Sequence, residues 1–423
     1  MLQIQKIRSD KDFIIKKILE IRNINVADQI NTIFDLDLQK RETQKSLDEF
    51  SSQMNILSSQ IGTEFKAGNN DKANDLKKET TTLKDKIKLL KSSFMDLDNS
   101  IIDLLYQIPN MPNEIVPPGK LESDNEVIFS SDLSQIKNKE LLPHWELCEK
   151  YDLIDFELGV KISGAGFPVY KGKGAILQRA LIQFFLNQGN LEGYQELSVP
   201  HLVNESSGYG TGQLPDKEGQ MYHVSVDDLY LIPTGEVPIT NIYRDVILDY
   251  KDLPIKHVGY TPCFRREAGS YGKEVRGLNR LHQFDKVEIV QITNPNESYN
   301  TLDKMVNYIE GLIKKLELPY RKLKLCGGDL GFTSALTYDL ETYSSGQDKW
   351  LEVSSVSNFE TFQSTRLKLR FRNQDREIEL AHTLNGSALA LPRIMASLLE
   401  INQNKDGIKI PKVLRPFTGF DSI

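Results

Sequence analysis

The chain has 423 residues, 39% of them hydrophobic and 26% charged, which is the composition of a soluble folded protein long enough for two domains. A formal net charge of -7 excludes a nucleic-acid coat protein that is basic overall, although it permits an RNA partner held by local basic patches. The three cysteines form no CxxC pair, and the sequence has neither a membrane-spanning apolar run nor a signal-peptide core. We therefore expect a cytoplasmic protein without a disulfide framework, a four-cysteine zinc site or a membrane anchor.

The first hundred residues have the pattern of a long helical hairpin. They contain only two glycines, and apolar residues recur at alternating steps of three and four on both sides of a polar break at residues 67–71. The series is Leu47, Phe50, Met54, Leu57, Ile61 before the break and Leu76, Thr80, Leu83, Ile87, Leu90, Phe94, Leu97, Ile101, Leu104 after it. This repeat is typical of a heptad seam, and the short break requires the two helices to be antiparallel.

The second helix of this hairpin carries a basic stretch in an otherwise acidic protein. Between residues 77 and 91 there are six lysines against two acids. The lysines are Lys77, Lys78, Lys84, Lys86, Lys88 and Lys91. On a protruding arm they are suited to the phosphate backbone of a nucleic acid. A solvated helix face and a dimerisation coiled coil remain open as alternatives at this point.

A proline-rich segment follows, and the texture of the chain changes after it. Pro109, Pro112, Pro117 and Pro118 end the helical pattern, so we predict a hairpin domain over 1–108, a linker over 109–125 and a second domain over 126–423. Short β-branched and aromatic runs predict strands of a largely antiparallel sheet. These runs are 229–232, 256–260, 286–290 and 367–371. Neither a GxGxxG loop nor a GxxxxGK[ST] loop is present, so any ATP site would belong to another fold.

Two segments of the second domain combine residues suited to nucleotide chemistry. In the first, residues 263–270 and 276–288 form two predicted strands around a glycine-bearing loop at 268–277, with Arg265 and Glu267 at its start. Arginine offers a planar fork for phosphate, and glutamate accepts hydrogen bonds from an amino group. The second segment is the small-residue run 383–390, followed by Arg393 and an apolar helix. Taken alone, the first segment also fits an exposed hairpin with surface ion pairs.

Together these segments resemble motifs 2 and 3 of the class II aminoacyl-tRNA synthetases, and residues 178–200 resemble motif 1. Finer matches indicate the bacterial-type seryl-tRNA synthetases. They are the serine-binding loop 232–240, the metal and nucleotide segment 352–359, the preceding strands 328–331 and 338–341, and the hairpin as a tRNA arm. The resemblance covers essentially the whole chain. It implies an α+β fold, with a long antiparallel helical hairpin followed by a catalytic domain built on an antiparallel sheet flanked by helices, and usually a homodimer formed through motif 1.

The resemblance also implies roles for individual residues. Serine would be bound by Thr234, Gly235, Glu236, Arg265, Glu288 and Ser387. ATP would be bound by Arg265, Arg266, Glu267, Phe284, Glu352, Val353, Ser354, Ser355 and Arg393. Glu352 and Ser355 would hold Mg²⁺, and tRNA would contact the six lysines and Arg276. The implied partners are L-serine, ATP as a substrate and tRNA(Ser), with tRNA(Sec) as a second candidate substrate, and neither zinc nor DNA.

Two departures from the family pattern and two rival functions qualify this interpretation. Gly235 replaces a more common alanine, and the run Leu391-Pro392 before Arg393 has fewer glycines than the class usually shows. Proline is comfortable in the first turn of a helix, so we expect no loss of function. The rivals are a synthetase-like protein that charges a carrier and a non-enzymatic RNA-binding scaffold. Complete ATP-binding arginines and an intact basic hairpin argue against both.

Overall fold

The computed structural model describes residues 1–134, 136, 141–267 and 276–423. Two compact units account for these residues: Leu2–Lys16 with Asn25–Pro109, and Met1 with Lys17–Ile24 and Asn110–Ile423. The helices are α1 (Ile4–Arg22), α2 (Ala27–Lys66), α3 (Asn70–Leu105), α4 (His144–Lys150), α5 (Phe156–Ile162), α6 (Gly172–Leu191), α7 (Glu205–Thr211), α8 (Glu236–Asn241), α9 (Ser298–Lys315), α10 (Phe362–Leu367), α11 (Leu391–Asn402) and α12 (Arg415–Thr418). Within the described residues, no helix is both long and apolar enough to cross a membrane.

The strands are short at the edges of the larger unit and long at its centre. They are β1 (Glu126–Ser130), β2 (Ile154–Asp155), β3 (Val169–Tyr170), β4 (Gln195–Glu196), β5 (Leu202–Asn204), β6 (His223–Val224), β7 (Leu229–Leu231), β8 (Ile247–Asp249), β9 (Ile255–Phe264), β10 (Gln283–Thr293), β11 (Tyr320–Lys324), β12 (Leu336–Ser344), β13 (Lys349–Asn358), β14 (Arg370–Arg372), β15 (Ile378–Leu380), β16 (His382–Ala390), β17 (Gln403–Asn404) and β18 (Gly407–Ile408).

The smaller unit is the predicted helical hairpin. Helices α2 and α3 have 40 and 36 residues and are therefore about 60 and 54 Å long. Leu47, Leu83 and Ile87 are buried between them, with Phe50, Met54, Leu57, Leu90 and Phe94 packed around. These are the positions of the predicted heptad seam, which is confirmed. Residues 67–69 join the helices, so the turn is shorter than the polar break suggests.

The larger unit is built on a sheet of eight described strands in the order β1-β11-β12-β13-β16-β10-β9-β4. All neighbours are antiparallel except the short β4, which runs parallel to β9. Alternation along β10 separates the two faces: Val287 and Ile289 join the hydrophobic core with residues of α6 and α11, whereas Lys286 and Glu288 point the other way. The predicted α+β fold is confirmed, and the second face of the sheet carries the polar residues.

The structure corrects two details and supports a third. Residues 367–371 were expected in a strand, but Leu367 ends α10, Lys368 adopts φ +52° as its C-cap, and the strand begins at Arg370. The segment 328–331 is a turn between β11 and β12 rather than a strand. The motif 1 region has the expected order, α6 then β4 and then Pro200. Residues 268–275 of the predicted motif 2 loop lie outside the described residues.

Candidate active site

Strands β9 and β10 place Arg265 at the edge of the second sheet face. They pair in continuous antiparallel register, with Phe264 opposite Gln283 and Cys263 opposite Phe284. Arg265 follows directly, donates from Nε to the Pro233 carbonyl at 3.3 Å, and lies with its Cζ 5.2 Å from the centre of the Phe284 ring. The guanidinium is therefore supported on one side by an aromatic face, which keeps its planar fork in one orientation.

Glu267 is held in an uncommon backbone conformation at the start of the same loop. Its φ is +48°, in the left-handed region that side-chain-bearing residues seldom adopt, and its carboxylate lies 3.3 Å from Arg280 Nη1. The side chain is largely buried in the cleft wall. Arg266 is placed differently: its amide donates to the Gln220 carbonyl at 2.8 Å, and its side chain is exposed outside the cleft lining.

Arg393 reaches the same cleft from the start of α11. Pro392 occupies the first turn of this helix, as predicted, so the family departure leaves the helix intact. Arg393 donates from Nε to the Asn279 carbonyl at 3.1 Å and from Nη1 to the Glu352 carbonyl at 2.7 Å. Its Nη1 also lies 3.6 Å from the Glu352 carboxylate. Through these contacts the start of α11 is bonded to Asn279, in the segment before β10, and to Glu352 on β13.

The elements enclose a cleft of about 570 Å³ that is open to solvent. Its lining residues are Arg265, Glu267, Leu278, Asn279, Arg280, Leu281, Phe284, Lys286, Glu352, Val353, Ser387, Ala390, Pro392 and Arg393. Most of the predicted ATP residues meet here. Ser354 is instead buried beneath the cleft, where its hydroxyl donates to the Ser387 carbonyl at 2.6 Å.

A buried polar cluster, called the polar pocket below, lies beside the cleft next to Lys286 and Ser387 of its lining. Glu288 lies opposite Ser387 in the β10–β16 register, and both Glu288 and Glu236 are buried. Thr234 lies between them: its hydroxyl accepts from the Glu236 amide at 3.2 Å and is 3.4 Å from Glu288 Oε2. The predicted serine residues are thus brought together. An added Cβ at Gly235 would lie 3.1 Å from the Thr261 hydroxyl, so this departure leaves a little more room.

Three side chains that the sequence reasoning did not single out complete this pocket. Lys286 Nζ lies 2.5 Å from Glu288 Oε2 and 2.8 Å from the Thr234 hydroxyl, and Asn385 donates to Glu288 Oε1 at 3.0 Å. Gln363 donates to Glu236 Oε1 at 2.6 Å. The spacing of Lys286 two residues before Glu288 on a predicted strand could have indicated a shared face.

Burial gives Glu236 an unusual protonation equilibrium. The pKa of Glu236 is raised to about 7, first because its carboxyl is buried and second because the Glu288 carboxylate is near. The Gln363 hydrogen bond and the charges of Lys286 and Arg265 act in the opposite direction. Near neutral pH this side chain therefore changes between a charged acceptor and a neutral acid within the pocket.

Oxygen donors lie on β12 and β13, where the sequence predicts Mg²⁺, although Ser355 and Asp339 are not among the residues that line the cleft and Glu352 is. Ser355 pairs with Asp339 in the strand register and donates to its carboxylate, and Glu352 is half-exposed toward the cleft. Asp339 Oδ1 is buried with no hydrogen-bond partner, and burial followed by the Glu352 charge raises the Asp339 pKa well above its ordinary value. Within the described residues, no group of three or more His, Cys, Asp and Glu side chains forms a metal site. One or two protein oxygen ligands suit a cation whose remaining coordination positions are filled by substrate phosphates.

The predicted tRNA lysines are all exposed on α3. Spacings of seven, four and three residues put Lys77, Lys84, Lys88 and Lys91 on one face of the helix. The other two lie off this face: Lys78 pairs with Asp75 at 2.9 Å, and Lys86 lies 5.8 Å above the Phe50 ring.

Arg276, also predicted to contact tRNA, is exposed in the larger unit. Its guanidinium is 4.6 Å from the centre of the Trp145 ring.

Histidine and cysteine side chains near the motif 2 hairpin have structural contacts. His282 Nδ1 lies 2.8 Å from the Tyr222 hydroxyl, and the ring stacks on Phe167. Cys263 and Cys326 are fully buried, and burial raises the pKa of the Cys263 thiol. These environments fit packed residues rather than nucleophiles.

Comparison with known proteins agrees with this geometry along the whole chain. Residues 1–112 match the seryl-tRNA synthetase N-terminal domain, and residues 222–402 match the tRNA synthetase class II core domain shared by the G, H, P, S and T enzymes. The chain is 47% identical to the serine–tRNA ligase of Salinibacter ruber, over 100% of this chain and 99% of that protein. It is 45% identical to that of Methylacidiphilum infernorum, over 99% of each.

Solved structures show the same relationship. The seryl-tRNA synthetase of Pyrococcus horikoshii complexed with ATP superposes with a TM-score of 0.92 at 33% identity, covering 100% of this chain and 99% of that one. The cytoplasmic serine–tRNA ligase of Naegleria fowleri in complex with AMP gives 0.87 at 27% identity, covering 100% and 98%. With two matching domains, relatives 47% and 45% identical over nearly the full length, and an arginine-lined cleft beside buried carboxylates, the chain belongs to the seryl-tRNA synthetase family of class II aminoacyl-tRNA synthetases.

Proposed function

We propose that the chain activates L-serine with ATP to form seryl-adenylate and transfers the seryl group to the 3′ end of tRNA(Ser). One observation supports this proposal: two buried carboxylates, Glu236 and Glu288, lie around Thr234 beside the arginine-lined cleft, and Lys286 of the cleft lining contacts Glu288. A small amino acid with a hydroxyl side chain matches those groups in size, charge and hydrogen bonding.

In the serine pocket, each carboxylate has a separate task. Glu288 offers charge to the substrate ammonium, and Glu236 accepts a hydrogen bond from the side-chain hydroxyl. Alanine would leave the buried Glu236 acceptor without its donor, and such a loss rejects an analogue more strongly than a missing methyl group does. Threonine would bring an extra methyl group against Ser387 and its neighbours on β16.

In the nucleotide cleft, catalysis consists of positioning and charge neutralisation. Arg265 binds the α-phosphate and the serine carboxylate, which then attacks phosphorus in line and expels pyrophosphate. Phe284 stacks under the base, Glu267 faces its amino group, and Arg393 binds the γ-phosphate. No protein nucleophile is required, since the substrate carboxylate supplies the attacking oxygen.

A divalent cation fits the oxygen donors at the β12–β13 edge. Glu352 and Ser355 would hold Mg²⁺ there, with Asp339 behind the serine hydroxyl. When bound, the ion would neutralise phosphate charge. Burial and then the Glu352 charge raise the pKa of Asp339, and a bound cation would offset the repulsion between these two carboxylates.

The activation step is tested by amino-acid-dependent ATP–pyrophosphate exchange on the purified protein without tRNA. Serine, threonine, alanine and glycine are compared side by side at saturating Mg²⁺. We expect exchange with serine and at least a hundredfold lower kcat/KM with alanine, because the polar acceptor stays unpaired. Absence of serine-dependent exchange in folded protein would refute the enzyme and favour the RNA-binding scaffold.

We further propose residues 1–108 as the tRNA-binding domain, 109–125 as its linker and 126–423 as the catalytic domain. The shared face of α3 supports this role, since its four exposed lysines make no ion pair within the part of the chain that the structure describes. Reversing Lys84, Lys88 and Lys91 to glutamate should lower tRNA charging and flatten its salt dependence while leaving pyrophosphate exchange unchanged. Reversing Lys78 and Lys86, the two predicted lysines that lie off this face, should lower tRNA charging less. Equal loss of exchange and charging would show that the hairpin is only structural.

We propose that the active form is a homodimer in the cytoplasm, where its tRNA substrate is found. Exposed apolar side chains support a second copy: Leu191 at the end of the motif 1 helix α6 is 80% exposed, and Ile162 at the end of α5 is 72% exposed. Light scattering coupled to size-exclusion chromatography measures the mass of the purified protein, and a mass of one 48.2 kDa chain instead of two would contradict the homodimer.

Charging assays with tRNA(Sec) beside tRNA(Ser) would show whether the second RNA is also a substrate.

A further inference from the structure

Gln363 is a buried glutamine on the short helix α10, far along the chain from the serine loop. Its side chain is 1% exposed, yet it lies directly behind the Glu236 carboxylate. It makes three hydrogen bonds: Nε2 donates to Glu236 Oε1 at 2.6 Å and to the Thr211 carbonyl at 3.1 Å, and Oε1 accepts from the Thr383 hydroxyl at 2.7 Å. Every polar atom of the amide is therefore engaged.

These partners fix the orientation of the amide. The Thr211 carbonyl has no proton to donate, so the group that faces it must be the amide nitrogen. That nitrogen also faces Glu236, and the amide oxygen is then left for the Thr383 hydroxyl. Thr211 and Thr383 are themselves buried, at 0% and 1% exposure, so water does not compete for these bonds. The contacts with Thr211 and Thr383, and not the Glu236 carboxylate, therefore determine that the Gln363 amide nitrogen faces Glu236.

One oxygen of Glu236 is thereby committed, and the side chain cannot rotate without breaking this bond. The Glu236 amide is also held by the Thr234 hydroxyl at 3.2 Å, so both ends of the residue are fixed. The remaining carboxylate oxygen is the one available to a hydroxyl in the pocket. A hydrogen bond from a buried amide also favours the ionised carboxylate over the neutral acid, and an ionised carboxylate is the stronger acceptor.

We infer that Gln363 is a positioning residue for serine specificity: it holds the Glu236 carboxylate in the orientation that accepts the substrate hydroxyl. This inference rests on the proposed serine-activating function. Gln363 does not touch the substrate; it acts only through Glu236. Gln363 therefore affects the preference for serine over alanine, and it does not affect ATP binding in the cleft.

The test replaces Gln363 with methionine, which keeps the length and removes both donors. Pyrophosphate exchange is measured with serine, alanine and ATP varied in turn. We expect the KM for serine to rise about tenfold or more, because a hydrogen bond to a buried charge is lost. The preference for serine over alanine should fall by a similar factor, and the KM for ATP should change less than threefold.

A matched control substitutes methionine for Gln291, a buried glutamine that donates to the Tyr194 hydroxyl at 2.7 Å on the core side of β10. Gln291→Met loses a comparable buried bond but should keep the wild-type KM for serine. Where Gln363→Met does not fold, Thr383→Val provides the second test, since it removes the donor that orients the amide. Thr383→Val should also raise the KM for serine and not the KM for ATP, but by a smaller factor than Gln363→Met.

A double variant separates a positioning role from a general one. If Gln363 acts through Glu236, then Gln363→Met added to Glu236→Ala, which removes the acceptor of the Gln363 hydrogen bond, should change the KM for serine less than twofold beyond the single Glu236→Ala variant. Additive losses, an unchanged serine KM in both Gln363→Met and Thr383→Val, or equal changes for serine and ATP would overturn the inference. Failure of the wild-type protein to exchange with serine would instead refute the proposed function, so the two failures are distinguishable.

Discussion

The raised pKa of Glu236 predicts how much its buried charge lowers the free energy of unfolding. Its folded pKa is about 7 against an ordinary value of 4.5, a difference of about 2.5 units. At about 1.4 kcal/mol per unit, the buried charge lowers the free energy of unfolding by about 3 kcal/mol once the pH is well above 7. Because the folded pKa is raised, the folded protein binds more protons than the unfolded chain between about pH 4.5 and 7. Relative to high pH, the protonated form of Glu236 therefore contributes stability that is complete below pH 4.5 and is lost as the pH rises through 7.

The perturbation is Glu236→Gln, which keeps an oxygen to accept from Gln363 and removes the charge. At pH 8 we expect the free energy of unfolding to increase by up to about 3 kcal/mol relative to the wild type, and at pH 5 by less than about 1 kcal/mol. Serine-dependent exchange should fall at both pH values. The gain in stability would come with a loss of function, as is common where an active site holds an unfavourable group.

The assay is urea unfolding of the ligand-free protein at pH 8 and pH 5, followed by intrinsic fluorescence. Glu218→Gln provides the matched control, since Glu218 is exposed and loses the same charge outside the pocket. It should leave unfolding nearly unchanged at both pH values. The reasoning is wrong if Glu236→Gln is no more stable than the wild type at pH 8, or if its advantage is the same at pH 5.

Three further substitutions test the nucleotide cleft. Arg265→Lys keeps the charge but loses the planar fork over Phe284, so kcat for exchange should fall about a hundredfold or more while the protein melts at the wild-type temperature. Phe284→Leu should raise the KM for ATP several-fold and leave the KM for serine unchanged, which a two-substrate titration of exchange would detect. Asp339→Asn should raise the Mg²⁺ concentration needed for half-maximal exchange, and the same Mg²⁺ requirement as the wild type would contradict a role behind Ser355.

Local patterns were sufficient to predict the hairpin and much of the central sheet. The heptad series predicted that residues such as Leu47, Leu83 and Ile87 would pack together, because a period of 3.5 residues has few other structural solutions. The prediction was wrong at residues 367–371, where the alternation of Leu367, Leu369 and Phe371 with charged residues favours a strand. The backbone there turns through Lys368 at φ +52° before the strand begins at Arg370, and local propensity does not report that turn.

The site was predictable only where a residue belongs to a recognisable motif. Arg265 and Arg393 lie in such motifs, and the structure brings both to one cleft. Gln363 lies in a segment that the sequence reasoning did not single out, and Asp339 lies in a matched segment, 338–341, for which no chemical role was predicted; each contacts a partner more than a dozen residues away. Lys286 is a clearer omission, because its two-residue spacing from Glu288 placed it on the same face of a predicted strand. A lone lysine on a strand is ordinarily interpreted as an exposed residue.

The charges of the pocket explain where its selectivity must come from. Glu236 and Glu288 are opposed by Lys286 and Arg265, so the free pocket has little net charge when all four are ionised. An amino acid enters as a zwitterion, and its ammonium and carboxylate add no net charge either. Alanine and threonine present the same two charged groups as serine, so electrostatics alone cannot distinguish the three. Under the proposed function, discrimination against alanine would therefore depend on the hydrogen-bond acceptor at Glu236, and discrimination against threonine on the space beside Ser387.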